Sequence, residues 1–194
     1  MKRAITILFA ASLSVTATAA PVPSARVSLF ARTLVFKLPA GFVLANEKRN
    51  DTHVLIELVP QGEGLANWKR MITIQAYRGL CASSLSSAQI ARQAFYPAAC
   101  KKEPLYRDQG EKAFGPKLKR SIIVNGCASL PPGAYPKALA GAGEQDFIMM
   151  FRDADTIYTL NYAVRGKSFA GKALPVALDS AEGFLQEIFG RVSL

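Results

Sequence analysis

The sequence predicts an α+β domain in which helices flank an antiparallel β-sheet. Three observations lead there. Apolar and alternating runs on either side of a polar turn, between His53 and Gly79, read as a strand hairpin. Two later segments, 104–125 and 147–164, each read as a further pair of strands. Two stretches with apolar residues at helical spacing, opening near Ser86 and near Asp179, read as helices with capping-box starts.

The hairpin is the centre of the pattern. Val54-Leu55-Ile56 and Leu58-Val59 form an apolar run broken only by Glu57, as in a strand covered on both faces. Pro60-Gln61-Gly62-Glu63-Gly64 has turn chemistry. From Met71 to Tyr77 the chain alternates, with Ile72, Ile74 and Ala76 on one side and Met71, Thr73, Gln75 and Tyr77 on the other. Trp68 is expected to pack over the end of this pair. With Lys69 and Arg70 beside it, the same corner is the candidate interaction surface.

Met1 to Ala19 reads as an export signal. Lys2 and Arg3 precede an apolar run from Ile5, and Ala17-Thr18-Ala19 fits the small-x-small cleavage rule. The run is too short to be a convincing permanent span, which leaves no transmembrane segment after cleavage. The expected location is the bacterial periplasm or the exterior. Residues 20–32, with Pro21 and Pro23, read as a flexible leader, and residues 33–194 as a single domain large enough for a real core.

Within that domain, Leu34 to Leu38 gives a short strand turned by Pro39 and Gly41. The helix from Ser86 presents Ala88, Ala91, Ala94 and Phe95 on one face and ends before Pro97. Pro104–Asp108 and Lys117–Asn125 are strands joined around Gly110 to Pro116. Leu130 to Gly143 is a loop rich in Pro, Gly and Ala, ordered or mobile. Phe147–Phe151 and the strand carrying Tyr158, Leu160, Tyr162 and Val164 flank a turn at Asp153-Ala154-Asp155-Thr156. The last helix carries Ala181, Phe184, Leu185, Ile188, Phe189 and Val192 as its apolar stripe.

The chemistry-bearing inventory is thin. His53 is the single histidine, and no G-x-S-x-G elbow accompanies it, so no catalytic residue is assigned and an enzyme is not expected. One His and three separated Cys give no metal-ligand spacing, Asp153 and Asp155 belong to a turn, and Gly141-Ala142-Gly143 lacks a strand-to-helix context; no cofactor is assigned. The chain is basic, with 24 Lys and Arg against 14 Asp and Glu and a formal charge of +10. Its basic residues are scattered, without the stripe that nucleic acid requires. They suit solvated faces, or attraction to an acidic partner in the cell envelope or to an anionic lipid surface.

Export makes a disulfide plausible. Cys81 and Cys100 stand at opposite ends of the expected helix, beyond disulfide reach. A strand pair that leaves and returns to one edge of the sheet brings Cys127 back beside Cys100. Cys100–Cys127 is therefore the expected staple, with Cys81 free or buried.

The passages Phe36-Lys37-Leu38-Pro39-Ala40-Gly41-Phe42, Trp68–Tyr77 and Tyr158–Phe189 resemble the Mog1/PsbP-like fold, an antiparallel sheet sandwiched by helices. The passage from Leu58 to Trp68 also resembles small exported bacterial proteins, most of them without an assigned function. The resemblance implies a non-catalytic binding or assembly factor. Three functions follow as expectations: a binding or accessory protein acting through a protein-interaction surface in envelope assembly, secretion or toxin inhibition; a small-ligand carrier with a pocket under the Leu130–Gly143 loop; and a hydrolase. An exposed aromatic or basic patch would favour the first, and an apolar cavity the second.

Overall fold

Alternating side chains in consecutive segments produce one large sheet with two different faces. The computed structural model of the chain describes residues 24–80, 89, 100, 105–130, 141–169 and 180–194. Its elements are β1 (Ser24–Leu29), β2 (Arg32–Lys37), β3 (Phe42–Arg49), β4 (His53–Pro60), β5 (Arg70–Arg78), β6 (Leu105–Asp108), β7 (Lys112–Ala113), β8 (Lys119–Cys127), β9 (Gly143–Arg152), β10 (Thr156–Gly166) and α1 (Ala181–Phe189). Strands β1 and β2 form their own hairpin. The remaining eight make one antiparallel sheet in the order β3-β4-β5-β10-β9-β8-β6, with β7 pairing onto β8.

The helix-flanked α+β sandwich expected from sequence is corrected here. The described residues are mostly β-sheet, and α1 is the one helix with both ends among them. Two physical reasons account for the difference. Residues 24–29, expected inside a flexible leader, pair with β2 from Ser24↔Lys37 to Leu29↔Arg32, so a β-hairpin takes a place beside α1 in the layer over the sheet. Strands β9 and β10 are also long, ten and eleven residues, and add to the central hairpin instead of standing apart from it. The helix expected from Ser86 lies outside the described residues except for Gln89, which is helical and exposed.

The first face of the sheet holds the main core. Ile72, Ile74 and Ala76 of β5, Tyr158, Leu160 and Tyr162 of β10, and Phe147, Met149 and Phe151 of β9 are all buried there. Leu34 and Phe36 of β2 and Leu185 and Phe189 of α1 cover them. Phe36 meets Phe189 edge to face at 5.6 Å, and Phe147 meets Phe184 at 4.4 Å. Each fully buried side chain of this size contributes about 1.5–3 kcal/mol through lost apolar surface.

Local chemistry sets the boundaries. Ser180 caps α1, its hydroxyl accepting from Gly183 N at 2.9 Å, one residue after the Asp179 start that the sequence suggests. Gly190 stops the helix at φ 62°, ψ −146°, a conformation open to glycine, while its N–H donates to Gln186 O at 2.8 Å. Ser193 and Val35 exchange two backbone hydrogen bonds, fastening the tail to β2. The β9–β10 turn stands where the sequence places it: Asp153 Oδ1 accepts from Asp155 N and Thr156 N, and Arg32 Nε donates to Asp153 Oδ2 at 3.1 Å. Burial alone would raise the Asp153 carboxyl, but these donors and the guanidinium charge outweigh it and leave its pKa lowered.

Candidate functional site

The second face of the sheet is where polar chemistry collects. Strand register fixes its members. Thr159, Asn161, Ala163 and Arg165 of β10 stand opposite Met150, Ile148, Asp146 and Glu144 of β9. Beyond β9, those four stand opposite Ser121, Ile123, Asn125 and Cys127 of β8. With strands about 4.8 Å apart and residues two positions on about 6.7 Å away, the patch spans roughly 10 Å by 20 Å. Ile148, Ile123 and Met150 form an apolar floor, with polar groups around it.

A half-polar face normally meets water, yet this one is buried. Asn125, Ser121 and Thr159 are each only 1% exposed. Five atoms of the patch, Ser121 Oγ, Asn125 Nδ2, Asn125 Oδ1, Thr159 Oγ1 and Asn161 Oδ1, are buried without a hydrogen-bond partner among the described residues. Native interiors pair nearly all such atoms, so five in one patch require a cause.

Two carboxylates and one guanidinium lie at one end. Arg165 Nε donates to Glu144 Oε2, and the pair is almost fully buried. The Arg165 guanidinium also lies 3.4 Å above the Trp68 ring. One row on, Asn161 Nδ2 donates to Asp146 Oδ1 at 3.0 Å. Burial, and after it the neighbouring Glu144 charge, push Asp146 up to about 8, against the opposing pull of Asn161 and Arg165. Asp146 therefore keeps its proton to higher pH than an ordinary carboxyl, while Glu144 is paired with Arg165.

The residues singled out from sequence fall around this patch in different ways. Trp68 is 5% exposed and packs with Val59, Met71 and Ala163 at the Arg165 end. Lys69 and Arg70 are exposed, with Arg70 over the Phe42 ring at 5.8 Å. The three neighbours in sequence thus present no shared aromatic and basic surface: the indole belongs to the interior of the second face. His53, at the far end of the same face, stacks on Tyr77 with centroids 4.4 Å apart, and its Nε2 lies 3.4 Å from Gln75 Oε1. Neither contact is to a nucleophile or a carboxylate.

Cys100 and Cys127 form a disulfide with Cα atoms 5.6 Å apart, as the tracing of strand directions predicts. Leu130 and Ala142 pack against it, and Leu130 N donates to Ala142 O at 2.8 Å. This closes the base of the Leu130–Gly143 loop beside the Glu144 end of the patch. Residues 131–140 and Cys81 lie outside the described residues. Among the described residues no three His, Cys, Asp or Glu side chains gather as a metal site, and no helix is long and apolar enough to cross a membrane.

Sequence reasoning missed Asn125, Asp146, Asn161 and Glu144. Asn161 alternates with apolar neighbours in β10, while Glu144, Asp146 and Asn125 lie at the polar ends of their strands, and both patterns read as solvent-facing. The one available signal was the polar run Glu144-Gln145-Asp146 leading into the apolar Phe147–Phe151 of β9. The chain matches no family model and no curated protein.

Proposed function

We propose that this chain is an exported binding protein that carries a small polar ligand against the second face of its sheet, at the foot of the Leu130–Gly143 loop. One observation supports the reading above others: five buried polar atoms of Ser121, Asn125, Thr159 and Asn161 have no partner among the described residues. Leaving a buried donor or acceptor unmade costs about 1–3 kcal/mol each. A set of five approaches the whole net stability of a domain, about 5–15 kcal/mol. Groups that supply those hydrogen bonds on binding offset that cost, and a polar-rimmed apolar floor is the usual composition of a small-molecule site. Export follows from the Lys2-Arg3 n-region, the apolar run and Ala17-Thr18-Ala19.

Comparing melting of protein purified under native conditions with the same material unfolded, dialysed and refolded tests this. A bound ligand raises the melting temperature of the first sample, and adding back the dialysate restores it. Identical melting of the two, with no effect of the dialysate, would refute carriage.

A second reading, an accessory protein engaging a protein partner, has its own observation. Edge strand β3 exposes Val43 (43%) and Leu44 (57%) at the open side of the sheet. The bulge between Leu44 and Asn46 and the exposed Lys48 and Arg49 restrict any added strand to the first residues of β3. Leu44→Asp should abolish binding of such a partner without changing the melting temperature; retained binding would rule this edge out.

A further inference from the structure

A cluster of cations occupies a corner of the molecule that the second-face site leaves unused. Strand β8 begins there, at the opposite end from Cys127 and Glu144, where the β7–β8 turn meets the β9–β10 turn. Three clefts of about 380, 510 and 300 Å³ open around the β7–β8 turn, and Lys117 lines all three. Their described lining includes five cations, Arg32, Lys112, Lys117, Lys119 and Arg152, against two carboxylates, Glu111 and Asp153. Glu111 serves both Arg152, at 2.6 Å, and Lys119, at 3.5 Å, while Asp153 serves Arg32. Lys112 lies 4.0 Å from Glu182, and Lys117 has no carboxylate within ion-pair distance among the described residues. Clefts lined mainly by one sign of charge draw the opposite sign to them.

The turn is held in one shape. Phe114 N donates to Leu118 O at 2.9 Å, Gly115 takes φ 75°, and the Phe114 ring packs 4.9 Å from the Phe151 ring. In the first cleft Phe114, Pro116 and Leu118 supply an apolar floor, and Arg32 and Lys117 supply the charge. Leu118 is 7% exposed, so it lies below the surface that the lysines present. A flat bilayer does not reach such a floor, and none of the exposed large apolar side chains, Val43, Leu44, Leu65 and Leu80, belongs to this turn. A phosphate chain brings charge without an aliphatic group, and one small anion answers one cation of the set. An extended acidic peptide brings both kinds of group, with alternate side chains about 6.7 Å apart on one side.

We propose that the β7–β8 turn is the docking surface for an acidic, extended segment of a protein partner. The segment seats one apolar side chain on Phe114, Pro116 and Leu118 and sets its carboxylates against Lys117 and the neighbouring Lys112 and Lys119. This surface and the second-face site share no residue, so neither reading depends on the other.

Fluorescence anisotropy with the full chain and a labelled Glu-Asp-Leu-Asp-Glu peptide tests the proposal, with the same peptide carrying Ser for Leu as the parallel arm. The first peptide should bind, and its binding should fall several-fold between about 50 and about 300 mM sodium chloride, because exposed charges are screened. The Ser peptide should bind at least about fivefold more weakly, since it leaves the Phe114–Leu118 floor uncovered. Lys117→Glu should weaken the first peptide about tenfold or more without moving the melting temperature. Lys48→Glu, the same charge change on exposed β3, should leave binding within about twofold of wild type. No binding of the first peptide, no loss in Lys117→Glu, equal loss in both variants, or equal binding of the two peptides would overturn the proposal. Capture by phosphatidylcholine vesicles with about one-third phosphatidylglycerol, in place of the peptide, would overturn it in favour of a membrane surface.

Discussion

Replacing Asn125 by Leu should make the ligand-free protein more stable. The residue lies near the end of β8, buried, with neither amide atom partnered among the described residues. Leucine has the same number and branching of side-chain heavy atoms, so it leaves no cavity and removes two unmade hydrogen bonds, although its methyl groups are bulkier than the planar amide and add a packing cost. An unsatisfied buried polar atom costs about 1–3 kcal/mol, and apolar replacement of matched shape recovers part of that. Allowing for imperfect packing against Asp146, the expected gain is about 1–3 kcal/mol. At about 2–4 °C per kcal/mol for a chain of this size, the melting temperature should rise by roughly 2–12 °C. Urea unfolding of refolded, dialysed protein, read by tryptophan fluorescence from Trp68 and by circular dichroism, measures it, and the slope with denaturant should not change. Native-purified wild type, in contrast, should lose its ligand-dependent increment in the variant. A loss of 1 kcal/mol or more in the refolded variant would refute the reasoning, since it would mean that Asn125 is already satisfied by structural water.

Other expectations follow from single contacts. Cys100→Ser and Cys127→Ser should each lower stability by about 3 kcal/mol, from the 27-residue separation they close, and the double variant should be little worse; non-reducing peptide mapping checks the pairing. Asp146 binds its proton more tightly folded than unfolded, so its contribution is complete below about pH 4 and is lost as pH rises through about 8; Asp146→Asn should flatten that part of the stability profile in urea titrations at several pH values. Gly143→Ala would place a Cβ 2.6 Å from the Phe169 ring and 2.9 Å from Lys167 O, backbone included, and should destabilise by about 1–3 kcal/mol on thermal melting. Ser180→Ala removes the α1 cap and should cost about 1 kcal/mol by the same assay.

How much of this was legible varies with the kind of signal. Strict alternation identified β5 and β10, because Ile72, Ile74, Tyr158, Leu160 and Tyr162 all belong to one apolar face. Tracing strand directions paired the right cysteines. The strand at Ser24–Leu29 escaped because its turn to β2 carries no glycine or asparagine; Phe30 itself adopts φ 56°, with Arg78 stacked 4.1 Å from its ring. That hairpin is also one reason why the described residues hold more strand than the helix-flanked sheet predicted. The candidate site escaped for a different reason. Thr159, Asn161 and Arg165 look like the wet half of an amphipathic strand, and only register reveals that Asn125, Asp146 and Glu144 lie beside them. Period two gives the face of a residue but not what that face meets.

The central claim is that the second face carries a small molecule, and native mass spectrometry of the chain purified under native conditions tests it most directly. The account predicts an added, releasable mass on the wild-type chain that is absent after refolding and absent in Asn125→Leu. A bare polypeptide mass in every sample, with Asn125→Leu indistinguishable from wild type, would contradict it.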